Sequence, residues 1–296
     1  VRRPPDIRVG VSGWTYTPWR GHFFPKGLPQ KRELSYASAS FRAIEVNGTF
    51  YRLQRPDSFA RWFEDTPADF VFTVKGPRFI THIRRLREPV TPLANFYASG
   101  VLRLGHKLGP FLWQFPPNFQ FDSELMLQFL KMLPHDTDAA LGLARRHDDR
   151  LNGKVWLSAD ANRPLRHAIE IRHESFRHPA FIDMLREHHV ALVCADTVKW
   201  PRLMDVTTDF VYCRLHGSRE LYRSGCDDDD LDFWSKRVRD WAAGRRGEGD
   251  FAGRPKGGGP HDVFVFFDNT DKLHAPDNAH GLMRRLGQTV PVPGGP

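Results

Sequence analysis

The chain is poor in cysteine, in long apolar runs and in glycine-rich phosphate signatures. Three cysteines among 296 residues are too few for the disulfide framework of a small secreted domain, and no Cys-x-x-Cys or Cys/His spacing marks a zinc site. Cys194 and Cys213 sit in apolar runs and Cys226 in a loop, so plain thiols are expected. No apolar run approaches the roughly 20 residues that span a bilayer, which excludes a helical membrane protein; no membrane partner is expected. The opening VRRPPDIRVGVSGW is basic but leads into a strand-like run with Gly10 and Gly13 rather than an apolar leader core, so a cytoplasmic location is the expectation. GVSGWTYTPWRG spaces its glycines wrongly for a dinucleotide-binding turn, which argues against a nicotinamide enzyme and leaves the cofactor unknown.

What is present is ample material for a core: 40% of residues are hydrophobic and 12% aromatic, and mean hydropathy is −0.50. The formal charge of +8 favours anionic ligands and also keeps proteins in solution. Acidic CDDDDLD (226–232) contrasts with basic RFITHIRRLRE (78–88) and GRRGEGDFAGRPKGGG (244–259).

Eight strand-like runs recur along the chain: IRVGVSGW (7–14), AIEVNGTF (43–50), FVFTVKGP (70–77), GPFLWQFP (109–116), AIEIRHES (168–175), ALVCADT (191–197), FVYCRLHG (210–217) and DVFVFFDN (262–269). Helix-like segments separate most of them, among them DSFARWFEDT, DSELMLQFLKML and DLDFWSKRVRDWAAG. Strands alternating with helices imply a parallel sheet, and eight such units imply an α/β fold closed into a single-domain (β/α)8 TIM barrel over residues 1–296; a doubly wound open sheet is the alternative. Segments 135–166 and 244–260 break the rhythm and are expected to be loops or small insertions, the second a candidate for motion.

Side chains alternate across a strand. With Ile44, Val46, Phe72, Val74, Trp113, Phe115, Ile169 and Ile171 facing the helices, Glu45, Asn47, Thr73, Lys75, Leu112, Gln114, Glu170 and Arg172 face inward. The same division is expected to put Cys194 and Asp196, Arg214 and His216, and Phe266 and Asp268 inside. A mixed-charge ring thus gathers at the C-terminal strand ends, where enzymes of this fold build their sites. It reads either as a functional site or as a buried network of mutually neutralising charges, and such networks are weak evidence for stability.

As a site, Glu45, Lys75, Glu170, Asp196, His216 and Asp268 are the catalytic candidates. Trp14, Asn47, Tyr51, Arg78, Gln114, Arg172, Arg214, Gly217, Ser218 and Asn269 are the substrate-binding ones. Arginine forks suit carboxylate or phosphate. Glu170 would hold Arg172 from below while its outer fork meets an anion near Arg214, Gly217 and Ser218. A small anionic or phosphorylated substrate is therefore expected. Lys75 would be a base, a Schiff-base nucleophile or a charged clamp. The carboxylates are metal-ligand types, but neighbouring Lys and Arg compete for them, and no metal site is assigned. Trp14, Tyr16, Trp19, Phe50, Tyr51, Phe79 and Phe119 with Arg78, Arg84 and Arg85 give the alternative partner, nucleic acid, through stacking and phosphate contacts.

VSGWTYTPWRGHFFPKGLPQ, AIEVNGTFYRLQRPDSFARW, FVFTVKGPRFITHIRRL, LGPFLWQFPPNF, AIEIRHESF and FVYCRLHG together closely resemble the YecE-like family, domain of unknown function 72. The resemblance runs from about residue 7 to about 286 and implies a TIM barrel without implying an activity. It places the family's characteristic positions at Gly13, Trp14, Glu45, Asn47, Thr49, Phe50, Tyr51, Lys75, Pro77, Arg78, Gln114, Pro116, Glu170, Arg172, Arg214, His216 and Gly217. Cys226 stands where relatives commonly carry tyrosine.

Overall fold

Val, Ile and Phe, concentrated in short runs, form eight parallel strands: β1 (Ile7–Ser12), β2 (Ala43–Val46), β3 (Val71–Lys75), β4 (Leu108–Gln114), β5 (His167–Glu170), β6 (Val190–Asp196), β7 (Phe210–Leu215) and β8 (Asp262–Phe267). Each pairs with its sequence neighbour and β8 returns to β1, closing the barrel. This computed structural model describes residues 4–197, 199–217, 225–254, 258–268 and 273–290. Every strand ends before its run does because the last residues turn into the loops above. In the second run GTF belongs to the short helix Gly48–Tyr51, with Asn47 at its N-cap, so Glu45 lies next to the end of β2; Arg172 likewise lies beyond the end of β5.

The helices are α1 (Glu33–Ser40), α2 (Gly48–Tyr51), α3 (Pro56–Glu64), α4 (Val90–Ala98), α5 (Ser123–Met132), α6 (Thr137–Ala144), α7 (Pro179–Glu187), α8 (Asp228–Ala242) and α9 (Ala275–Arg285). Asp122 caps α5 by accepting from the Leu125 amide at 3.0 Å, and Asp227 with Asp230 forms a capping box on α8, each satisfying orphan N–H groups of a first turn. The insertion at 135–166 contributes α6, which packs on α4. In the 244–260 insertion, the Asp205 carboxylate accepts from the amides of Ala252 and Gly253 at 2.8 and 3.0 Å. Among the described residues, no helix is long and apolar enough to cross a membrane.

Two cores follow from the alternation. Outward residues such as Val9, Ile44, Phe72, Trp113, Ile169 and Val265 pack beneath the helices. A second cluster plugs the barrel with Ala43, Leu112, Ala168, Ala191, Val193, Ala195, Phe210, Tyr212, Phe264 and Phe266. Rings on β7 and β8 face smaller aliphatic residues on the other strands, the interdigitation that fills a barrel core. Gly10 belongs to this fit: a Cβ there would lie 1.9 Å from the Ala43 carbonyl oxygen.

β6 corrects the sequence expectation. Val193 and Ala195 point inward, while Cys194 joins the outer core. VALVCAD is apolar on both faces until its last residue, so alternation carries no contrast there. Packing decides: Ala195 is the register partner of Arg214 and leaves space for its guanidinium.

Candidate functional site

Register brings the polar strand ends together. Ser12 pairs with Glu45, Glu45 with Thr73, and Gln114 with Glu170, forming one layer above the apolar plug. At its centre lies Arg214, fully buried. An arginine has five N–H donors, and here each has an acceptor. Nε donates to Glu45 Oε2 at 3.0 Å and Nη2 to Glu45 Oε1 at 2.9 Å and Asp268 Oδ2 at 2.5 Å. Nη1 donates to Glu170 Oε2 at 2.5 Å and reaches His216 Nε2 at 3.5 Å.

The carboxylates are held as fully. Glu45 accepts in addition from the Ser12 hydroxyl and from Tyr212 OH at 2.7 Å, whose oxygen lies 2.9 Å from Thr73 Oγ1. Glu170 Oε1 accepts from Gln114 Nε2 at 2.9 Å and Arg172 Nε at 2.8 Å. Burial alone would raise the Glu170 pKa; the Arg214 and Arg172 charges outweigh it and hold the carboxyl below the usual carboxylate range. Burial, then the Arg214 charge, lowers the His216 pKa to about 4. A neutral ring accepting at Nε2 carries its proton on Nδ1, which lies 3.3 Å from the Asp268 carbonyl oxygen.

Around this saturated floor stand groups with donors to spare. Lys75, only 7% exposed, places its ammonium 4.2 Å from the Phe50 ring centroid, and that ammonium makes no hydrogen bond or ion pair among the described residues. Burial, followed by the Arg214 charge, lowers its pKa to about 8. Arg172 spends Nε and Nη2 on Glu170 and lies over the Trp200 ring at 4.2 Å, leaving Nη1 without a partner among the described residues. Arg78 is exposed. His82 packs edge-on against Phe50, and burial together with the charges of Lys75, Arg172 and Arg78 lowers its pKa to about 4. Asn47 donates to Ser12 Oγ at 2.7 Å, but its buried Oδ1 has no partner among the described residues. Tyr51 is 69% exposed, and Gly217 takes φ of +92°, a conformation that favours glycine.

Three sequence assignments change. Asp196 leaves the ring: as part of the reversed β6 face it points towards α8, accepting from Trp234 Nε1 at 3.2 Å and Arg202 Nη1 at 3.0 Å. Trp14 packs edge-on against Trp62 and Phe72, wedged between barrel and α3 rather than in the mouth. Arg214 has no N–H left for a ligand. Ser218 and Asn269 lie outside the described residues.

Sequence reasoning overlooked Ser12, Tyr212 and Trp200. The first two were readable, since Ser12 shares its face with Gly10 and Tyr212 precedes Arg214 by two residues. Trp200 sits in a loop, where no periodicity points to it. Among the described residues no group of three His, Cys, Asp or Glu side chains is arranged to hold a metal ion. A separate cleft of roughly 300 Å³, lined by residues including Arg186, Thr207, Arg246 and His261, opens by the N-terminal ends of β7 and β8, away from this ring.

Solved structures of DUF72 family proteins share the fold. One from Thermotoga maritima has a TM-score of 0.71 at 24% identity, covering 96% of this chain and 100% of that one. One from Enterococcus faecalis has a TM-score of 0.66 at 17% identity, covering 97% and 100%. Among curated proteins, UPF0759 protein YecE of Escherichia coli K12 is 29% identical over 142 residues, 48% of each chain. UPF0759 protein YunF of Bacillus subtilis is 26% identical over 147 residues, 47% of this chain and 51% of that one. The chain spans about half the length of the curated relatives it matches. The family model described as protein of unknown function DUF72 matches residues 8–295, and with that match the barrel and its Arg214-centred ring take their place in a family: the chain belongs to DUF72.

Proposed function

We propose that the protein is an enzyme acting on a small anionic substrate, carboxylate or phosphate, at the C-terminal mouth of the barrel. One observation carries this reading. Arg214 binds all three carboxylates, while Lys75, Arg172 and Arg78 keep donors without a partner among the described residues, close enough together for all three charges to depress the His82 pKa. A cavity edge rich in unspent cationic donors and poor in free acceptors attracts anions. Trp200 and Phe50 wall it, limiting solvent screening of those charges.

The test is inorganic phosphate binding, measured by calorimetry and by thermal shift against equal ionic strength of chloride. Arg172→Lys is expected to weaken phosphate about tenfold although charge is kept, because an ammonium cannot replace the planar fork that holds Glu170 and a ligand at once. Equal affinity in the two proteins, or no phosphate-specific shift in the wild type, would remove the reading. A nucleic-acid ligand is the second reading, favoured by exposed Tyr51, Phe79 and Ile83 near Arg78. Oligonucleotide binding that falls steeply with salt would support it.

A further inference from the structure

Among the described residues two lysines are buried, and they are treated in opposite ways. Lys107 spends all three N–H groups: Nζ donates to the Phe63 carbonyl at 2.5 Å, the Thr66 carbonyl at 2.7 Å and Thr66 Oγ1 at 3.1 Å. That is how a structural lysine escapes the cost of burial. Lys75 spends none among the described residues and faces an aromatic ring. The carboxylates that could have neutralised it, Glu45 and Glu170, are both committed to Arg214.

We propose that Lys75 is a nucleophile that forms an imine with a short aldehyde or ketone bearing the anionic group held at the mouth. The inference rests on the anionic-substrate reading and narrows it to carbonyl compounds. The step balances within the site. The ammonium sheds one proton, its nitrogen attacks the carbonyl carbon, and the C–N bond forms. The carbonyl oxygen takes up two protons, the one shed and a second from nitrogen, and leaves as water. The third proton remains on nitrogen as the iminium, and no oxidant or co-reactant is needed. Arg172 and Arg78 supply the anion's counter-charge, while burial and the Arg214 charge favour the free amine of Lys75 over the ammonium. The charges that set that balance are Arg214, Glu45, Glu170 and Asp268, which act on Lys75 directly; neutral His82 feels the Lys75 charge together with those of Arg172 and Arg78.

The experiment is borohydride trapping at pH 8 on the intact protein with pyruvate and with dihydroxyacetone phosphate, located by peptide mass spectrometry. Lys75 is expected to be labelled at least about tenfold more than Lys26 or Lys107, with inorganic phosphate protecting it. Lys75→Met should lose the site-specific label while its melting curve shows that it folds. Labelling confined to exposed lysines overturns the inference. If phosphate binds but neither carbonyl probe labels Lys75, the imine is refuted and the anion site stands. Labelling of Lys75 that phosphate does not prevent supports the imine and refutes the anion site.

Discussion

Arg214→Met is expected to lose about 3–5 kcal/mol of stability at neutral pH, because removing one partner of a buried ion network leaves the others charged and unpaired. Here three carboxylates lose their common partner. The pH dependence should also change sign at Glu170. In the wild type its folded pKa lies below the unfolded value near 4.5, so its contribution is present above that value and lost as pH falls. Without Arg214, burial dominates and raises the folded pKa. The variant should then gain stability on acidification towards pH 5, where the wild type does not. Urea unfolding of both proteins from pH 5 to 8 checks this, and parallel profiles would show that Arg214 does not govern the network.

Lys75→Met is expected to move stability the other way. A folded pKa of about 8 against 10.5 unfolded means that the fold disfavours the ammonium by roughly 3 kcal/mol at neutral pH. The sign follows from the depressed folded value: the penalty is full below pH 8 and fades as pH rises towards 10.5. Methionine of similar length removes the penalty but loses the cation–π contact with Phe50, worth about 1–2 kcal/mol. The variant should therefore be about 1–2 kcal/mol more stable near pH 7, with the advantage shrinking above pH 8. It should also lose phosphate affinity. A position where function costs stability is the signature of a working site. A variant less stable than wild type at pH 7 would mark Lys75 as structural.

Most of this architecture was legible because charge contrasts with its neighbours. In AIEIRHE and FVYCRLHG one charged residue between apolar ones fixes both strand type and face, and Glu45, Lys75, Glu170, Arg214 and His216 are found inside as expected. On β6 that contrast is missing. Asp196 comes last in an apolar run, and its direction depends on Trp234 in a distant helix, which periodicity within one strand does not encode. Trp14 was misplaced for a related reason: an aromatic residue after a strand end has the same local pattern whether it closes over the mouth or folds back under a helix. The saturation of Arg214 was hidden as well, since a residue's type shows how many donors it has and not how many neighbours claim them.

Arg214 reaches from β7 to Glu45 on β2, Glu170 on β5 and Asp268 just beyond β8, so one guanidinium acts as a rivet whose spokes cross the barrel instead of following its wall. Strands that are not neighbours are thereby fixed at one spacing. The floor of the mouth is rigid, and any opening or closing must be carried by the loops above it. Deuterium exchange should accordingly find the amides of β2, β5 and β7 among the slowest in the molecule, with ligand-dependent changes appearing only beyond the strand ends.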